Sequence, residues 1–350
     1  MIRVALLGAG IGREHLEAYR AIPHLFDVKM IIDRDIDRAR SLAEDIQCFP
    51  SIESALEDDS IDIVDICLPP HLHVDIAILA MEHGKHVICE KPIATSLKDT
   101  ARLRESIRQS GKSYFPVFQY RFGPAFTALQ NLNREGLVGQ PYVAAVETHW
   151  SRDAEYYSVP WRGTWAGEQG GAVLGHAIHS HDLISHFFGP IEQVSAMLDT
   201  RANDIETEDC AAIVFKLVNG ALATSSITLG AATDETRIRM VFEKLTATSA
   251  TNPYAPATGD WKFEARDPDL QGKVDAIVKA VQNAQSGFVG FLQEIAASLQ
   301  GDPNAAVSFD DGVASIELVT AIYHAARTGQ RVNLPLPSDH PLFAGWLPVT

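Results

Sequence analysis

At 350 residues the chain exceeds one ordinary hydrophobic core, so two domains are expected. Apolar residues make up 46% and charged residues 21%, ordinary globular usage that excludes a disordered chain. The formal charge of −16 repels polyanions, which excludes nucleic acid and anionic membrane as partners and leaves any phosphate to local amides and a few cations. Along the first 120 residues, strands and helices alternate. Apolar runs at Val4–Leu7, Val28–Ile32, Ile61–Leu68, His86–Cys89 and Tyr114–Phe118 read as strands. Helical patterns near Glu14–Ala21, Ile36–Asp45, Val74–His83 and Leu97–Ser110 lie between them. That order, with nearly continuous apolar strands, predicts an α/β Rossmann-like domain with a parallel sheet covered on both faces.

After about residue 123 the texture changes. A helix over Ala125–Glu135 ends at Gly136, and strands at Tyr142–Trp150, Ile191–Leu198, Cys210–Leu217, Ala221–Leu229 and Arg237–Phe242 follow. Asn219-Gly220 is a hairpin signal between two of them. Helices near His176–Phe187, Phe288–Leu299 and Asp310–Thr328 complete an α+β domain with a large open mixed or antiparallel sheet. The boundaries expected are 1–122 for the first domain and 123–350 for the second, and Pro253–Gly259 is the loosest stretch.

Cys48, Cys67, Cys89 and Cys210 have no metal-type spacing, and two of them sit inside apolar runs, as inert buried thiols do. The start, MIRVALLGAG, reads as a first strand rather than a signal peptide, and no apolar stretch is long enough to span a membrane. A soluble cytoplasmic protein is expected.

Gly8-Ala9-Gly10-Ile11-Gly12 follows the first strand and opens the first helix. Glycines there permit a tight turn and a close approach to a pyrophosphate at the positive end of a helix. The spacing is G-x-G-x-G rather than G-x-G-x-x-G, so the loop is one residue short, with Arg13 in the usual last position. Asp33 ends the second strand, 25 residues after Gly8, where an acid accepts a ribose hydroxyl and repels a 2′-phosphate. Its neighbour Arg34 could instead hold that phosphate, so NAD is expected and NADP remains the alternative. Asp33 also reads as a cap before the Ile36 helix.

Glu90-Lys91-Pro92 ends the His86–Cys89 strand and places Lys91 at a carboxyl end, where open α/β sheets bind ligands. An ordinary surface Glu-Lys pair has the same local pattern. His73 falls after the Ile61–Leu68 strand, toward the nicotinamide side or simply at a helix start. Further on, the segment Gly175-His176-Ala177-Ile178-His179-Ser180-His181-Asp182 places His176 and His179 on one helical face, as metal ligands can be. No cysteine lies nearby in sequence, and no metal is expected. Trp161 and Arg162 read either as a stacking and hydrogen-bonding pocket wall for a polyol or as a packed Trp pair with a surface Arg; Tyr120 and Arg121 stand near the domain boundary.

Taken together, these motifs resemble the Gfo/Idh/MocA oxidoreductase family. The resemblance rests on Gly8–Gly12, Pro69-Pro70-His71-Leu72-His73, Gly84-Lys85-His86, Glu90-Lys91-Pro92 and Gln119-Tyr120-Arg121-Phe122. It continues through Gly170-Gly171-Ala172, His179 with Asp182, and the run from Thr328 to Pro335. It implies a Rossmann domain followed by an open-sheet domain that supports substrate and often subunit contacts, hence a homodimer or homotetramer. It implies oxidation or reduction of a sugar, inositol or related hydroxyl. Lys91 then lies near nicotinamide and substrate, and His179 is the active-site histidine. Many members carry an aspartate four residues before that histidine; here the position is Gly175.

On this reading His179 is general base in oxidation and Lys91 stabilises the developing alkoxide. Gly8, Gly10, Ile11, Gly12, Asp33, Arg34, Leu68, Pro69, His73, Glu90, Lys91 and Gln119 make up the expected cofactor set, and Lys91, Tyr120, Trp161, Arg162, His176 and His179 the substrate set. The leading function is an NAD-dependent sugar or polyol dehydrogenase. The alternatives are an NADP-dependent ketosugar reductase, a non-catalytic dinucleotide-binding regulator and a redox-neutral glycoside hydrolase that recycles bound NAD.

Overall fold

The computed structural model describes residues 1–348. They divide into two compact units: Met1–Phe118 with Phe288–Ile316, and Gln119–Gly287 with the residues from Glu317 on.

In the first unit β1 (Ile2–Leu7), α1 (Gly12–Ala21), β2 (Phe26–Ile32), α2 (Ile36–Leu42), β3 (Gln47–Phe49) and α3 (Glu53–Leu56) form one half. The other half is β4 (Ile63–Ile66), α4 (His73–Glu82), β5 (His86–Cys89), α5 (Leu97–Ser110) and β6 (Tyr114–Pro116). All neighbours pair in parallel, in the order β3-β2-β1-β4-β5-β6. The order reverses between β1 and β4, and a ligand-binding crevice opens beyond the carboxyl ends of strands at such a switch point. Buried apolar strands explain the pattern: Val4 to Leu7 and Ile63 to Ile66 carry little or no exposure, and one of those buried residues is the acid Asp65. Edge strand β3, Gln47–Phe49, has no continuous apolar run and was not read from sequence.

The second unit has α6 (Pro124–Arg134), β7 (Pro141–Ser151), α7 (Trp165–Glu168) and a π-helical turn at Val173–Ala177 that leads into α8 (Ile178–Phe188). Strands β8 (Ile191–Asp199), β9 (Cys210–Leu217), β10 (Leu222–Thr228), β11 (Gly230–Phe242), β12 (Leu245–Thr248) and β13 (Lys262–Ala265) follow, then α9 (Gln271–Ala280). With the carboxyl-terminal Val332–Asn333 strand they build an eight-stranded sheet, mixed because β10 runs parallel to β7. The sheet has one covered face. In β9, Ala211, Ile213, Phe215 and Leu217 are buried while Ala212, Val214 and Lys216 are exposed, the alternation of a half-solvated strand. The Asn219-Gly220 turn joins β9 to β10 as its residues require, with Gly220 at φ +88°.

Two helices remain, α10 (Gly287–Gln300) and α11 (Phe309–Thr328). The sequence places both in the second domain, after a single boundary at residue 122. The returning segment Phe288–Ile316 instead packs in the first unit, through Phe309 against Tyr114 (5.5 Å between rings), Asp310 on Arg104 (2.6 Å) and Gly312 close against Ile93 and Pro116. Among the described residues no helix is long and apolar enough to cross a membrane.

Candidate active site

In the first unit the glycine loop lies at the carboxyl end of β1. Gly8 has φ +107°, and a Cβ there would sit 2.3 Å from the Cys67 carbonyl oxygen beyond β4, so only glycine fits. A Cβ on Gly10 would meet nothing within 4 Å, leaving open space beside the loop, whereas a Cβ on Gly12 would reach to 3.4 Å from Leu6 in the first strand. The shortened loop starts α1 directly at Gly12 after Ile11, which is 45% exposed. The first amides of a helix have no partner one turn back, which is what an incoming pyrophosphate exploits.

Asp33 closes β2 and accepts from the Ala9 amide (2.8 Å), the Asp35 amide (3.0 Å) and Arg38 (Nη2 at 2.6 Å, Nε at 3.2 Å). Burial raises its pKa, but the Ala9 amide, Arg38 and the Asp35 amide outweigh burial and hold it below the ordinary carboxylate value. It is therefore anionic at neutral pH and at the position that reads a ribose. The arginine that touches it is Arg38, in the first turn of α2, whereas the flanking Arg34 is exposed. Arg38 was not singled out from sequence; its place, five residues after the strand-end acid, was the available signal.

Leu68 and Pro69 follow β4, half-buried, with Leu68 against the Gly8 position. Glu90 and Lys91 follow β5. Glu90 Oε2 accepts the Lys91 amide at 3.1 Å and Oε1 lies 3.1 Å from His15 Nε2. Lys91 is half-buried and its peptide to Pro92 is cis. His73 opens α4, the helix start that was one of its two expected places. It has no exposure, and its two nitrogens lie 2.7 Å from the carbonyl oxygens of Pro92 and Leu68. Burial pushes its pKa down, against the pull of those carbonyls and of Glu90. A neutral ring donates to one carbonyl at a time, so His73 ties the segment after β5 to the segment after β4.

In the second unit the Gln119–Arg121 turn grips α8. The Tyr120 ring stacks on His179 at 4.4 Å, and Arg121 forms a two-pronged ion pair with Asp182 (2.7 and 2.5 Å) with both groups buried. Asp182 thus has both carboxylate oxygens on Arg121. Gln119 Oε1 is buried with no hydrogen-bond partner among the described residues, an acceptor that suits a ligand donor. His181 faces the sheet: its Nε2 lies 2.9 Å from Ser225 Oγ, and burial drives its pKa down to about 3. Its ring also meets Phe215 at 5.4 Å, so His181 packs against the sheet.

His176 sits in the π-helical turn with its ring edge on Trp150 (5.3 Å) and near Tyr156 (6.2 Å). Arg162 lies 3.8 Å over the Tyr156 ring and 5.1 Å from the 41%-exposed Trp161, so these residues form one aromatic and cationic surface with His176. A Cβ on Gly175 would meet nothing within 4 Å. The Gly170-Gly171 pair before the turn has a steric cause: a Cβ on Gly171 would lie 2.0 Å from the Glu208 carbonyl oxygen. The Glu208 carboxyl accepts from the amides of Gly171 (3.2 Å) and Val173 (3.1 Å) and from the Tyr323 hydroxyl (2.9 Å), and sequence reasoning missed it.

Comparison with known proteins decides the family. Residues 2–118 match the oxidoreductase family with an NAD-binding Rossmann fold, and residues 126–248 match the GFO/IDH/MocA C-terminal domain. The chain belongs to the Gfo/Idh/MocA oxidoreductase family. Levoglucosan dehydrogenase of Pseudarthrobacter phenanthrenivorans is 30% identical over 57% of this chain and 54% of its own length. Myo-inositol 2-dehydrogenase of Thermotoga maritima is 27% identical over 63% and 66%, respectively. The chain thus spans between about half and two thirds of the curated relatives it first matches. The WlbA dehydrogenase from Bordetella pertussis, solved with NADH and UDP-GlcNAcA, superposes with a TM-score of 0.83 at 29% identity, over 96% of this chain and 98% of that one. NAD fits the first unit of this family member: the space beside Gly10, the amides opening α1 and the ionised Asp33 are the features a dinucleotide needs.

Proposed function

We propose that the protein is an NAD-dependent dehydrogenase oxidising a secondary hydroxyl of a sugar or polyol. The observation that carries this reading is Lys91 at the carboxyl end of β5, beside the switch point whose glycine loop and Asp33 fit NAD. Relatives in the family act on levoglucosan and myo-inositol by their names, which supports a polyhydroxylated substrate.

NAD, when bound, supplies the hydride-accepting carbon. The chain supplies the rest. Lys91 donates a hydrogen bond to the reacting oxygen and stabilises its alkoxide character. His179 accepts the hydroxyl proton, its ring held flat by Tyr120 while the Arg121–Asp182 pair fixes the helix one turn further on. Asp33, Arg38, Leu68, Pro69 and Gln119 hold the dinucleotide. Trp161, Arg162 and His176 contact substrate, aromatic faces covering the apolar faces of the ring and polar groups reading hydroxyls. His73 acts behind this set as a tie between two loops.

An acidic, nucleotide-linked sugar is a second reading. It is favoured by the Arg162 guanidinium over Tyr156 next to an exposed Trp161, and by the UDP-GlcNAcA in the WlbA complex. We also place the protein in the cytoplasm as a homo-oligomer: its four cysteines are free, and Met197, Val214 and Leu222 on one face of the second sheet are exposed.

The test is NADH formation from a panel of free sugars, inositols and UDP-linked sugar acids, with NAD and with NADP. Lys91→Ala and His179→Ala are each expected to lower kcat about 100-fold or more on the best substrate, the scale of a lost general acid–base or oxyanion group. Full turnover in either variant refutes the assignment. Tight NAD binding with no net NADH from any substrate points instead to a regulator or a redox-neutral hydrolase.

A further inference from the structure

Asp65 occupies the middle of β4 with no exposure, between Val64 and Ile66. A carboxylate in such a place has to be paired and hydrogen-bonded. His15, in the first turns of α1 and equally buried, places Nδ1 2.8 Å from Asp65 Oδ2, and the Tyr19 hydroxyl donates to the same oxygen at 2.9 Å. The other edge of the imidazole reaches Glu90 Oε1 at 3.1 Å, and Phe288 covers the ring at 4.5 Å. Ionised carboxylates only accept, so a ring bonded to both must donate from both nitrogens and is an imidazolium. Burial alone would lower its pKa. The charge of Asp65 and its hydrogen bond to the ring outweigh burial and hold it well above the ordinary value. Glu90 shows the counterpart: burial raises it, and the hydrogen bond and charge of His15, with the charge of Lys91, bring it below its ordinary value.

We propose that His15 is a positioning residue for Lys91: it holds the Glu90 carboxylate so that the second carboxylate oxygen fixes the Lys91 amide. The inference rests on Lys91 acting at the reacting oxygen. A glutamate at a strand end ordinarily samples several rotamers. Here one oxygen is anchored to a buried cation that is itself anchored to β4, and the other closes on the backbone of the catalytic lysine. Three elements, α1, β4 and the exit of β5, converge on that one carboxylate. His73 holds the next carbonyl, that of Pro92, so Lys91 is gripped on both sides along the chain.

His15, Asp65 and Cys67 also bring ligand atoms within 4.8 Å of one another, close enough for a shared metal ion. A proton explains the cluster better. The 2.8 Å gap between Nδ1 and Oδ2 is that of a hydrogen bond, and the Cys67 thiol, raised to about 12 chiefly by burial, stays protonated, whereas a metal needs the thiolate.

The test uses the full chain with NAD absent for the first readout. In the wild type both His15 ring nitrogens are expected at the protonated ¹⁵N shift from pH 6 to pH 8, with the Lys91 amide protected from hydrogen exchange. His15→Gln is expected to speed Lys91 amide exchange at least tenfold. Against the best substrate of the panel, it is expected to lower kcat at least tenfold while KM for NAD changes less than about twofold. Glu90→Gln, which leaves no bare pair of buried carboxylates, serves if His15→Gln does not fold and is expected to shift the same readouts. In a Glu90→Gln background the His15 change is expected to add less than twofold, because the two act through one another. A His15 ring that titrates near its ordinary value, wild-type Lys91 exchange in either variant, or multiplicative effects in the double variant overturns the proposal. If Lys91→Ala keeps full turnover while the exchange results hold, the catalytic reading of Lys91 fails and the clamp stands.

Discussion

Replacing Glu208 by glutamine isolates one buried carboxyl and turns it into a measurable slope of stability against pH. Glu208 is 5% exposed, and burial is the largest influence on it, pushing its pKa from 4.5 up to about 7 against the pull of the Val173 amide, its own amide, the Tyr323 hydroxyl and the Gly171 amide. The folded state thus keeps a proton that the unfolded chain has lost between those two values. Stability from this group is full below about pH 4.5, declines as pH rises toward 7, and is flat above. At about 1.4 kcal/mol per pH unit the whole decline is about 3 kcal/mol. Glutamine offers a carbonyl oxygen to the same amides and does not titrate, so the Glu208→Gln chain lacks this slope. The difference in unfolding free energy, variant minus wild type, is expected to rise by about 3 kcal/mol from pH 4.5 to pH 8. In a unit of this size that is roughly 6–12 °C in relative Tm. Thermal melts of both proteins across that pH range are the assay. Parallel Tm curves, or a difference that falls with pH, would refute the account of Glu208 as a buried acid held protonated at the start of the turn that carries His176 and leads into α8.

Two more outcomes follow from the site. Asp33→Ser removes the anion that repels a 2′-phosphate and leaves Arg38 at 2.6 Å from the position to meet one, so kcat/KM for NADP relative to NAD is expected to rise at least tenfold; an unchanged ratio in steady-state kinetics with both cofactors would separate Asp33 from cofactor choice. In Gly175→Asp the new Cβ meets no atom within 4 Å, and the substitution places a carboxylate four residues before His179; it is expected to leave Tm within a few degrees and to move the acidic limb of the kcat/KM–pH profile upward by raising the His179 pKa, whereas an unmoved limb means that the new acid does not reach the ring.

Most of the fold was legible because its signals are local. β5, α5 and β9 have the bounds their patterns predict, since the apolar runs, the helical pattern and the Asn219-Gly220 turn all lie within a few residues of what they specify. What escaped is set by distance. The short strands β3, β12 and β13 (QCF, LTAT and KFEA) hold no continuous apolar run such as β5 has, and take their state from the neighbours they pair with. The return of Phe288–Ile316 to the first unit is decided by Tyr114, Ile93 and Arg104, more than 170 residues earlier in the chain, which no window over α10 contains. His73 opens α4, as one of its two readings had it. Its place after a β4-type strand is right for a cofactor contact, but the carbonyls that claim both ring nitrogens come from two different loops.

The His15 cluster shows which of these misses was avoidable. Asp65 stands inside IVDIC, a run that the parallel-sheet reading already required to be buried on both faces. Burying a lone carboxylate there costs several kcal/mol, so the same reading that placed β4 in the sheet also demanded a cationic partner beneath the glycine loop. Helix α1 follows that loop directly and packs on β1 and β4, and its inward-facing polar positions include His15 and Tyr19, the two residues that hold Asp65. A polar residue that violates the pattern of its own strand is therefore more informative than the residues that obey it. In this chain it points from the core of the sheet, through one imidazole and one glutamate, to the lysine at the end of β5.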